Sequence, residues 1–192
     1  RALVVANALP EAAVLVGSIG LPIYAQELEW NARRLGIFTS AWGLVAGLLS
    51  LGPFAWLLKS GWLTDVQAAC IGSLTLATGA LLLTQPTSGT QLWACLLWYC
   101  PGVALLRTAP AAIVAKAAPA AMRGEVLGAL DGVCSLCRVV VPGIVGFVAS
   151  YTGARGVYAI QAQLAVLSAV VLGLRKTHTI VIDEGFASSK DQ

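Results

Sequence analysis

Four ionisable side chains stand in runs with almost no polar company: Glu11 in "ANALPEAAVLVG", Arg107 in "GVALLRTAPAAIV", and Asp131 and Arg138 in "GALDGVCSLCRVVVPGIVGFV". A charge in an apolar run is costly unless it is paired or wetted. At the centre of a bilayer it costs about 2.5–3.5 kcal/mol on insertion scales. The chemistry open to these groups is proton exchange at a carboxylate whose charge is desolvated, and forked hydrogen-bond donation by a guanidinium. Asp131 and Arg138 are seven residues apart, which returns them to within about 20° on one helix face. They stand about 10 Å apart along the axis. That is far for a direct pair and right for lining one wet surface.

Each of the four has a second reading. Asp131 either lines a cavity or lies near the headgroups, and Arg138 either gates a path or satisfies a neighbouring helix end. Arg107, three residues before Pro110, either faces the bundle or snorkels. Glu11 is a proton-titrating acid or an acid at the inner interface. Beside the charges, Gly124, Gly128 and Gly132 repeat a small-xxx-small pattern that would let another helix approach closely. Pro142 has no amide to bond the carbonyl of Arg138, which favours a kink there. Gln161 and Gln163 are suited to hydrogen bonds between helices.

Other reactive residues offer less. Cys134 and Cys137 have redox or metal-pair spacing, but no histidine or third thiol is near and their flanks are apolar. All five cysteines fall in apolar runs, where a thiol behaves as a small hydrophobe. The sole histidine, His178, lies in a polar tail, and no Ser/His/Asp or metal-ligating cluster is visible. No metal, cofactor or enzymatic activity is expected.

The elements that must position the charges follow from composition. Of 192 residues 58% are hydrophobic and 11% charged, with mean hydropathy +0.81. A soluble domain carries about 25% charged residues, so the expectation is an all-α, polytopic membrane protein. The bases are scattered and form no stripe interleaved with aromatics, which excludes a nucleic-acid partner; the partners expected are the lipid bilayer and a small-molecule solute. "RALVVANA" resembles a signal peptide, but its apolar part is short of the ~7–15 residues required.

A span needs about 20 mainly apolar residues. Punctuation between apolar runs gives six candidates: Ala2 to Ala25, Leu35 to Leu58, Val66 to Thr84, Leu92 to Val114, Val126 to Ser150 and Val157 to Leu174. These make one bundle over residues 1–176, followed by a polar tail over 177–192. The short links favour sequential antiparallel neighbours. With both termini on one side, that side holds Arg1, Lys59, Lys116, Arg123, Arg175 and Lys176, against Arg33, Arg34 and Arg155 opposite. This bias places both termini in the cytoplasm.

The run from Arg123 to Gly153 resembles helix eleven of a major facilitator superfamily transporter, of the drug-efflux branch and its eukaryotic relatives. The matching positions are Arg123-Gly124, Gly128, Ser135-Leu136-Cys137-Arg138 and Pro142, with Gly143 and Gly146 behind. Glu27, Trp30 and Gly36 are similar to that family's outer loop after helix seven and the glycine opening helix eight. "KSGWLTD" is similar to its loop between helices eight and nine, without the arginine-rich ending usual there. The resemblance covers about residues 1–176 and implies the C-terminal half of such a fold, a 3+3 inverted repeat. Its solute site would lie at mid-membrane against an N-terminal six-helix half. Helices seven, eight, ten and eleven would face the path, and the chain would be part of a longer 12-helix secondary transporter. A truncated, non-transporting bundle acting as an interaction partner or sensor is the alternative. The opening arginine and the single methionine, Met122, fit either reading as a piece of a longer product.

Overall fold

In the computed structural model, residues 2–85 and 88–188 are described, except for the side chains of residues 2–7, 117 and 175–188. Arg1 and part of "QPTSGTQ" therefore lie outside the described residues, as do the side chains of Arg175, Lys176 and His178. The described chain is helical, with no strand among its elements: α1 (Ala2–Glu27), α2 (Ala32–Leu51), α3 (Pro53–Lys59), α4 (Asp65–Leu82), α5 (Gly89–Ala117), a 3-10 turn (Ala120–Met122) and α6 (Arg123–Ser188).

Local chemistry starts and stops these helices. The Asn31 side chain accepts from the Arg34 amide at 2.9 Å and opens α2. Thr64 and Gln67 cap each other reciprocally at the start of α4, and Ser88 accepts from the Gln91 amide at α5, so donors that lack a helical partner are satisfied. The apolar run expected to be one second span is divided at Gly52, whose backbone leaves helical geometry (φ −99°, ψ −100°) just before Pro53. Proline disfavours helical geometry in the residue before it.

Among the described residues, five helices are long and apolar enough to cross a membrane, as in an integral membrane protein. The fifth covers 55 residues, Ala120–Leu174. A straight helix of that length would run about 80 Å, far beyond a hydrocarbon core of about 30 Å. It is not straight: at Gly153 the backbone is non-helical, with φ +64° and ψ −162°. Along α1, Glu11 meets Arg138, Val16 packs with Val141 and Val145, and Glu27 meets Ala154. The part of α6 before Gly153 therefore runs parallel to α1. Beyond Gly153, Gly20 lies against Val157 and Gly17 against Gln161, so the second part runs back antiparallel. The chain turns round at Gly153, not at Pro142, which sits within continuous helix. Glycine tolerates this positive φ, and the Glu27 carboxylate accepts from the Ala154 amide at 2.7 Å, holding the turn.

The core lies between α1, α4, α5 and the returning part of α6, around Leu76, Leu92, Tyr99, Cys100, Val103 and Tyr158. Close helix crossing occurs between α4 and α5. A Cβ on Gly102 would stand 2.6 Å from the Leu76 amide nitrogen, and one on Gly72 would stand 2.8 Å from the Leu105 Cβ. The small-residue face expected at Gly124, Gly128 and Gly132 meets no helix among the described residues: a Cβ on any of them has nothing within 4 Å. Pro142 is likewise exposed. This part of α6 packs on α1 through its branched face, Val141 and Val145, with Cys137 alongside. Dispersion contacts between larger side chains hold it there.

The sequential pairing expected from short links holds for α4 with α5 but not for α2. The main contacts of α2 are with α5, where Phe38 stacks edge-on with Trp93 at 4.8 Å and Trp42 with Tyr99 at 5.7 Å. Helical backbone continues through Ser188, into the segment read as a polar tail.

Candidate functional site

The charges singled out in the sequence come from three elements and converge. Glu11 of α1, Arg107 of α5, and Asp131 and Arg138 of α6 all line one open cavity of about 240 Å³. On α6 the lining residues Asp131, Cys134 and Arg138 follow i, i+3, i+7 spacing, which keeps them on one helical face. On α5, Pro110 sits one turn beyond Leu106, and both line the cavity. Because proline has no amide, the Leu106 carbonyl loses its usual helical donor.

The Arg138 guanidinium donates through Nη2 to Glu11 Oε1 at 3.1 Å. Its side chain is 55% exposed and that of Glu11 is 24% exposed. This is a pair at the edge of an opening, not one sealed in a core. The sequence reading placed Arg138 and Asp131 on one surface, and both do line it, but the ion-pair partner of Arg138 is Glu11. Arg107 is exposed and forms no ion pair among the described residues.

Gln161 is fully buried and donates through Nε2 to the Tyr99 hydroxyl, linking α6 to α5 as interhelical bonding requires. Gly17 makes room for this pair, since a Cβ there would collide with the Tyr99 hydroxyl and the Gln161 amide. Gln163 is exposed. Cys134 and Cys137 are both free thiols.

Sequence reasoning missed Cys134 and Pro110 as lining residues, and it missed a set of hydroxyls on α1, α2 and α5. A cysteine in an apolar helix reads as packing, and a proline as a break. Only knowledge of which helices adjoin shows what faces the opening. No protein-family model, curated protein or solved structure matches the chain.

Proposed function

We propose that the chain is a solute-transporting membrane bundle: one wall of a secondary transporter that moves a small organic solute by alternating access. The observation that carries this reading is the convergence of Glu11, Arg107, Asp131 and Arg138, from three elements, on one open cavity. Ionisable groups inside membrane spans face a bundle interior or water far more often than lipid. The carboxylates supply sites for proton coupling, and Arg138 supplies a planar, forked donor.

The reversal at Gly153 supports counting the long fifth helix as two spans, which gives six with both ends on the cytoplasmic side. Six such spans fit a 3+3 inverted repeat of the major facilitator kind, completed by an N-terminal six-helix half as part of a longer 12-helix protein. The open charged wall is the side on which that half would sit. A path between two halves accounts for a charged opening that this chain leaves uncovered.

The test is Arg138→Lys in the complete protein, measured by thermal stability in detergent and by uptake of a panel of small organic solutes into proteoliposomes. Stability should be retained, because the charge is kept and water solvates it. Uptake should fall to background, because an ammonium does not reproduce the guanidinium fork. Unchanged uptake rejects a specific role for Arg138, and loss of stability together with uptake assigns it to the scaffold.

A further inference from the structure

A second, larger cavity of about 510 Å³ adjoins the charged one, and Arg107 lines both. It lies between α1, α2 and α5, and no acid among the described residues lines it. Its volume falls in the range of small-molecule sites, about 300–1,000 Å³. Its polar groups follow a definite pattern. Ser18 donates to the Val14 carbonyl at 3.1 Å, Ser50 to the Ala46 carbonyl at 2.8 Å, and Thr39 to the Leu35 carbonyl. Thr108 donates to the carbonyls of Ala104 and Leu105, each at 3.2 Å. A hydroxyl has one hydrogen and two lone pairs. Ser50 also reaches the Ala104 carbonyl of α5 at 3.4 Å; with each hydrogen directed at a backbone carbonyl, these four side chains offer the cavity acceptors.

Donors come from elsewhere. Arg107 brings a guanidinium that no carboxylate pairs among the described residues. Trp42 also lines the wall, and its indole N–H is buried without a hydrogen-bond partner among the described residues. A buried donor left so is costly, but the ring stacks edge-on with Tyr99 at 5.7 Å, so the donor facing the cavity is the Arg107 guanidinium. Gly43 and Gly47, one helical turn apart on α2, have nothing within 4 Å of a Cβ, so this stretch of wall is flat and apolar.

We propose that this cavity binds a planar organic carboxylate that carries hydroxyl or amine donors. The carboxylate pairs with Arg107, the ring lies over Gly43 and Gly47, and the ligand's donors meet the Ser and Thr oxygens. This assignment names the solute class for the transport reading and rests on that reading for its physiological role.

The experiment uses the 192-residue chain in lipid nanodiscs, with calorimetric titration of p-hydroxybenzoate, its neutral methyl ester and the cationic p-hydroxybenzylamine. The carboxylate should bind about tenfold or more tighter than either analogue, as expected of a charge-assisted contact. Arg107→Gln should abolish that preference. Gly47→Leu, whose new side chain enters open space, should weaken all three ligands while leaving the melting temperature in place. Equal affinities, tighter binding of the amine, a preference that survives Arg107→Gln, or no binding at all would overturn the proposal. Uptake into proteoliposomes by the complete protein separates the two claims. Arg107-dependent binding without uptake contradicts transport and leaves the site standing. Uptake that favours the amine contradicts the carboxylate site and leaves transport standing.

Discussion

Tyr99 and Gln161 show what one polar contact is worth in an apolar bundle. Interhelical hydrogen bonds in membranes average about 0.6 kcal/mol and reach about 1.7, so Tyr99→Phe alone should lower stability by about that much. Gln161→Leu should do the same, while the double variant should cost less than the sum, because no orphaned group remains. Thermal melts of the four proteins in one detergent check this, and strict additivity would show that the two residues do not act together. At the charged opening, Glu11→Arg and Arg138→Glu should each reduce folded yield, whereas the double exchange should recover it by restoring opposite charges. No recovery would mean that the 3.1 Å pair is incidental. The four charges were legible in the sequence because each stands out against apolar neighbours. The pairing of Glu11 with Arg138 was not, since 127 residues separate them and helical periodicity relates residues only within one helix. The hydroxyls of the second cavity were silent for another reason: serine and threonine often bond back to their own helix wherever they face.

Glycine is decisive at the scale of elements, though not where its spacing alone points. Gly102 and Gly72 let α4 and α5 meet backbone to backbone, while the regular Gly124, Gly128 and Gly132 series meets no element among the described residues. Small-xxx-small spacing records permission for close approach and says nothing of whether a partner helix arrives. Gly102→Leu should therefore destabilise the bundle by about 1–3 kcal/mol or more, and Gly128→Leu should leave its stability within about 0.5 kcal/mol. Fluorescence-detected size exclusion during heating ranks the two, and the reverse order would contradict this packing. Electrostatics joins the same two helices at one end. Lys116 in the last turn of α5 reaches Asp65 in the first turn of α4 at 2.6 Å, and each charge has the sign favoured at its helix end. Punctuation between apolar runs located nearly every element. It did not show the break at Gly52, which lies inside an apolar run, or that α2 packs chiefly on α5.

For the molecule as a whole, the outward surface is largely apolar, with Leu44, Leu48, Leu97, Leu136, Val139 and Phe147 exposed. Lipid suits that surface but does not suit the side where Glu11, Arg107, Asp131 and Arg138 gather. The class of protein was legible because a charged fraction of 11% cannot cover a soluble surface. The shared opening was not, because it exists only once α1, α5 and α6 are placed together. If the chain turns round at Gly153 within one membrane, a reporter fused after Gly173 and a glycosylation acceptor inserted beside Gly153 should report opposite sides. The claim that the charged cavity holds water has a probe built into it, since Cys134 lines the cavity. In protein whose other four cysteines are replaced by alanine, a positively charged, membrane-impermeant methanethiosulfonate should modify Cys134 in proteoliposomes. A cysteine placed at Phe147, exposed on the same helix, should stay unmodified in a background lacking Cys134. Rapid labelling of Cys134 alone is the result expected of a water-filled wall, and equal protection of both positions would show that lipid or protein, not water, covers the charges.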